Sequence, residues 1–78
     1  MAKEMLPQYK PRTVQAKLGY LIEECGEVLA AAGKTVRWGL LGVNPELPKK
    51  KQETNQAWLL RELSDLERAI SLVREAFK

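Results

Sequence analysis

Five acidic residues in two groups are the side chains of this sequence best suited to chemistry. Glu23, Glu24 and Glu27 form an EExxE run, and Glu62 and Asp65 form ExxD. Residues three apart share one face of a helix, so Glu24 with Glu27, and Glu62 with Asp65, can each converge on a point. Carboxylates gathered there repel one another and lose hydration. A divalent cation bound by Glu24, Glu27, Glu62 and Asp65 removes that conflict, and oxygen donors suit a hard ion such as Mg²⁺ or Mn²⁺. Other chemistries lack their residues. The chain has no histidine, which excludes Ser-His-Asp triads, Cys-His dyads and histidine-ligated zinc. Cys25 alone cannot build a thiolate zinc cluster, and no GxGxxG or Walker-type loop is present.

The neighbours of the acids carry more weight than the acids. Tyr20, Glu24, Glu27 and Ala31 read aromatic, acid, acid, alanine at helical offsets, and Trp58, Glu62, Asp65 and Ala69 repeat the order at the same offsets. Acid pairs three apart are common on solvated helices, whereas two matched rows are not. Glu23 either orients and deprotonates a water or is a plain surface acid. Lys34, seven residues after Glu27, and Arg68 are candidate phosphate ligands, as are Arg37, Arg61 and the Lys49–Lys51 run. For each, a solvated surface charge is the alternative. Trp38, Trp58 and Tyr20 are candidates for stacking on a base, with a place in the core or an interface as the alternative.

Two helices must position these groups. Thr13 suits a helix N-cap, and Leu18, Leu21, Ile22, Cys25, Leu29, Ala32 and Val36 recur at steps of three and four through about Trp38. Gly39, Gly42, Asn44, Pro45 and Pro48 then break the pattern, with a short helical turn expected from Pro48. From about Thr54 to Phe77, a heptad-like seam follows: Leu59, Leu63, Leu66, Ile70, Val73 and Phe77. The expected fold is all-α: an extended arm over residues 1–12, then one domain over 13–78 built as a long helical hairpin. The two apolar stripes are expected to form its seam, with Cys25 as a core thiol and the acid rows flanking. Val28, Leu40, Leu41, Trp58, Leu60 and Leu72 lie off the stripes. Gly19, Gly26 and Gly33 line one edge at intervals of seven, suited to close approach of another helix. A homodimer or homotetramer forming a four-helix bundle, with the acids facing a shared groove, would cover this surplus.

The chain has 78 residues, a mass of 8.9 kDa and a net charge of +3. Its basicity suits polyanions in general. The lysines and arginines are scattered without a continuous face, which weighs against nucleic acid as the partner. No apolar run is long enough to span a membrane, and the N-terminal residues lack the apolar core of a secretion signal, so a cytoplasmic location is expected.

The ordered motifs, EExxE (Glu23, Glu24, Glu27) on one helix and ExxD (Glu62, Asp65) on the next, resemble those of the all-α nucleoside triphosphate pyrophosphohydrolases. The text KTVRWGLLGVNPELPKKKQETNQAWLLRELSDLERAI resembles the short MazG-like members of that superfamily. The resemblance spans about residues 13–73. It implies Mg²⁺-dependent cleavage of a nucleoside triphosphate between the α and β phosphates, giving monophosphate and pyrophosphate. Two other readings fit the residues: a non-enzymatic helical interaction module whose acids are merely solvated, and a small basic nucleic-acid-binding protein.

Overall fold

The structure, a computed structural model, describes residues 10–78; residues 1–9, most of the expected arm, lie outside the described residues. Two helices, α1 (Val14–Trp38) and α2 (Asn55–Ala76), are joined by a connection that contains a 3₁₀ turn over Lys49–Lys51 after Pro48. The described residues hold no strand, only an isolated antiparallel bridge between Val43 and Thr54. Both helices begin as the sequence predicts. The Thr13 hydroxyl accepts from the Ala16 N–H at 3.0 Å, and the Thr54 hydroxyl accepts from the Ala57 N–H at 3.2 Å. Each threonine thereby satisfies a donor that the helix cannot.

The described residues measure 40 × 23 × 16 Å. A helix with its side chains is about 10–12 Å across, so the molecule is two helices side by side and one helix deep. Each helix can bury only the face it turns to the other.

The connection determines which face that is. Gly39 ends α1 at φ 86°, a conformation open to glycine and strained for other residues. Gly42 passes so close to Trp38 that a Cβ there would collide with the Trp38 carbonyl oxygen. The chain then delivers carbonyls to the start of α2. Gly42 O accepts from the Asn55 N–H at 2.8 Å, and Leu40 O accepts from the Gln56 N–H at 2.9 Å. The fully buried Asn55 side chain donates from Nδ2 to Gly39 O at 2.9 Å. At 100° per residue, Asn55 falls on the same line of α2 as Trp58, Glu62, Asp65, Ala69 and Leu72. Clamping Asn55 to the end of α1 therefore turns that line inward.

The buried set reflects this rotation: Glu24 and Ala31 on α1; Asn55, Glu62, Asp65, Ala69 and Leu72 on α2. The expected seam is corrected here. The acid rows face each other between the helices, and the apolar stripes lie to one side. Leu59, Leu63, Leu66 and Val73 are half-buried, while Ile70 and Phe77 are exposed. On α1 the stripe is largely bare: Ile22 is 72% exposed, Leu29 73% and Val36 88%. Cys25, expected in the core, is exposed. Gly19, Gly26 and Gly33 have nothing within 4 Å of a built Cβ, so the close helix approach expected along that edge is not made within the hairpin. The physical reason is the layer count: two helices offer one internal face each, and the clamp at Asn55 has assigned it to the acid rows.

Asn55→Ala removes a buried hydrogen bond and should destabilise the fold by about 1–3 kcal/mol in urea titration. Gln56→Ala keeps its backbone bond to Leu40 and should cost under about 0.5 kcal/mol. Equal effects would show that the clamp does not fix the rotation of α2.

Candidate metal centre

The two matched rows run antiparallel, so the register sets like against unlike at the ends and acid against acid in the middle. Asp65 and Glu27 act on Glu24, and Glu27 acts on Glu62. With Glu24 level with Asp65 and Glu27 level with Glu62, Tyr20 is level with Ala69, and Trp58 with Ala31. Both alanines are fully buried. A small residue opposite a large ring lets the helices stay close enough for the acids to meet.

The acids do meet. One carboxylate oxygen from each of Glu24, Glu27, Glu62 and Asp65 lies within 4.8 Å of the others. Opposite ligands of Mg²⁺ stand about 4.2 Å apart in its octahedral shell, so small side-chain adjustments suffice to draw the four around one ion. Glu24 is 7% exposed, Glu62 5% and Asp65 2%. Glu24 Oε2 and Glu62 Oε2 are buried and lack a hydrogen-bond partner. A buried, partnerless carboxylate oxygen carries the full cost of desolvation. Two such oxygens lie in the group of four acids that could hold a cation.

Their titration reflects the strain. Burial, then the negative charges of Glu27, Asp65 and Glu62, pushes Glu24 from 4.5 up to about 7. Burial first, then the neighbouring Glu27, raises Glu62 as well, although Arg61 pulls it the other way. Two guanidiniums back the acids of α2. Arg61 donates from Nη1 to Glu62 Oε1 at 3.2 Å, and its Nη2 pairs with Glu53. Arg68 Nη1 stands 3.7 Å from Asp65 Oδ1 and also reaches the Tyr20 hydroxyl, whose own pKa is raised by burial.

Glu23 is exposed and outside the four-acid group. Lys34 is tied to Glu46 of the connection at 3.2 Å, and its ammonium lies 4.8 Å from the centre of the Trp38 ring. Arg37 also stands over that ring, at 5.2 Å. Trp38 and Trp58 are both half-buried, Lys49 and Lys50 are exposed, and Arg68 sits at the cluster. The cluster is complete within one hairpin, where a groove between subunits was expected. Sequence reasoning missed Asn55. Its signal was available: seven residues before Glu62, it extends the same row by two turns. Arg61, expected as a phosphate ligand or a solvated surface charge, is instead part of an internal ion pair, which its position beside Glu62 and eight residues from Glu53 suits.

No family model, curated protein or solved structure matches the chain. Among the described residues, no helix is long and apolar enough to cross a membrane.

The raised carboxyls predict how the metal-free protein responds to pH. Glu24 binds its proton more tightly folded than unfolded, so its contribution to stability is complete below 4.5 and is lost as pH rises to about 7. The loss is worth roughly 3 kcal/mol at most. Glu62 acts in the same direction. In chelator, at fixed protein concentration, the melting temperature should therefore fall between pH 5 and 8, with ~pH 5 the more stable end. Glu24→Gln should flatten that slope. A wild-type melt that rises over this window would show that the cluster is not strained.

Proposed function

We propose that the chain is a Mg²⁺-dependent nucleoside triphosphate pyrophosphohydrolase, also served by Mn²⁺, that works as a homodimer or homotetramer. The observation that carries this reading is the pair of buried, partnerless oxygens, Glu24 Oε2 and Glu62 Oε2, within a cluster of four acids. The order of the motifs along the chain supports it further. Glu24, Glu27, Glu62 and Asp65 would hold the ion. Once bound, it would neutralise the triphosphate and polarise the attacked phosphorus.

The chain's own residues would do the rest. Glu23 lies one turn before Glu27 and reaches solvent, which suits it to take a proton from the attacking water. Arg68 binds a phosphate oxygen beside Asp65. Lys34 does the same after exchanging Glu46 for the substrate, and the weakness of an exposed ion pair makes that exchange cheap. Trp38 and Trp58 offer rings for a base. The products are monophosphate and pyrophosphate.

The oligomer rests on a separate observation. Turning the same way from the inward face of each antiparallel helix reaches one side of the pair. The apolar stripes of α1 and α2 both lie on that side, and Glu23, Arg61 and Arg68 lie on the other. A hairpin that leaves Ile22, Leu29 and Val36 in water has an apolar side fit for a second copy, facing away from Glu23, Arg61 and Arg68.

Incubation with each nucleoside and deoxynucleoside triphosphate plus Mg²⁺ should release pyrophosphate. Glu24→Gln or Asp65→Asn should abolish release while the helical circular dichroism persists. Inorganic phosphate as the first product would place cleavage at the γ position and overturn the assignment. Sedimentation should give at least twice 8.9 kDa. Leu29→Lys should shift the mass towards that of one chain; a wild-type monomer would remove the oligomer.

A further inference from the structure

Arg61 joins the acid cluster to the connection. Its Nη1 holds Glu62 Oε1 at 3.2 Å, and its Nη2 holds Glu53, the residue just before the Thr54 cap. Glu62 has two oxygens. Oε1 is bonded to Arg61, while Oε2 is buried and has no hydrogen-bond partner. A carboxylate on a three-bond stem is free to rotate unless something fixes it, and a planar guanidinium gripped from its far side fixes it well. We propose that Arg61 is a positioning residue for the metal centre: it fixes Glu62 so that Oε2 is presented to the ion, and Glu53 holds Arg61 in place. The inference rests on the reading of the four acids as a cation site.

Charge alone predicts the opposite consequence, which makes the role testable. Arg61 is a cation beside a site for a cation. Removing it lowers repulsion and leaves Glu53 as an additional unpaired negative charge nearby. On electrostatics, Arg61→Gln should bind a divalent ion more tightly. On positioning, it should bind less tightly, because Glu62 loses its orientation and Oε1 becomes a second orphan. Loss of a residue that orients a metal ligand typically weakens affinity about 10–100-fold.

The test is calorimetric titration of the full, metal-free chain with Mn²⁺. Helical circular dichroism and the melt in chelator serve as checks on folding. Arg61→Gln should bind Mn²⁺ at least about tenfold more weakly than wild type. Arg61→Lys keeps the charge but replaces the fork with a single ammonium, so it should fall between the two. Binding by Arg61→Gln as tight as wild type, or tighter, overturns the proposal. If Arg61→Gln does not fold, Arg61→Lys carries the test, and wild-type affinity or better in that variant is the overturning result. A wild-type chain that binds no Mn²⁺ removes the cation site itself, and this proposal with it. That outcome is distinct from a wild type that binds alongside an Arg61→Gln that binds equally well.

Discussion

The packing of four carboxylates between two helices is the constraint around which the rest of the molecule is arranged. Acids at this density repel and resist desolvation, and Glu24 shows the cost in a pKa raised to about 7. An isolated hairpin has little hydrophobic burial with which to offset this. The described residues contain three buried apolar side chains, Ala31, Ala69 and Leu72, two of them alanines. The compensation is local and polar. Arg61 and Arg68 neutralise the acids of α2, and the connection locks the helix ends through Gly39, Leu40 and Gly42. The cluster is thus held together by its polar frame rather than by a hydrophobic core, at a cost in stability.

From this follows the division of the hairpin into two sides with different tasks. Because the internal face is spent on acids, the apolar residues must find cover elsewhere, and both helices present them on the same side. The other side carries Glu23, Arg61 and Arg68. A single-layer molecule cannot hide both a polar site and an apolar stripe, so one of them has to face outward. Here it is the stripe, and the reading of the chain as an oligomer derives from that choice.

The fold was legible in the sequence to within a residue at each helix start, since Thr13 announces a cap, the heptad-like pattern begins near Thr54, and the glycines and prolines announce the connection. The acid rows were legible too, through the repeated order of aromatic, acid, acid and alanine. Their orientation was not. Periodicity reports that Leu59, Leu63, Leu66, Ile70 and Val73 share a face, but not whether that face meets α1 or a second copy. The strongest apolar pattern therefore does not by itself identify the hairpin seam. What fixes the rotation is Asn55, whose side chain bonds to Gly39 sixteen residues away. Spacing places Asn55 on the acid row, but no local pattern in the sequence reports a bond of that range. Cys25 followed the stripe and was misplaced with it.

The connection also sets where this chain can change length. Its base is committed: Gly39, Leu40 and Gly42 supply the carbonyls that hold the start of α2, and Val43 bridges to Thr54. Its outer part makes local bonds, such as Asn44 Oδ1 accepting from the Glu46 N–H and Leu47 O accepting from the Gln52 side chain, and one exposed ion pair from Glu46 to Lys34 of α1. Loop-closure entropy grows slowly with length, so residues added around Pro48 would extend an exposed tip and leave the helix phase untouched. A residue inserted between Gly39 and Val43 would slide every carbonyl off its donor and rotate α2 out of register. In this hairpin, tolerance to insertion changes within a few residues of chain, from the part that carries the fold to the part that merely spans it.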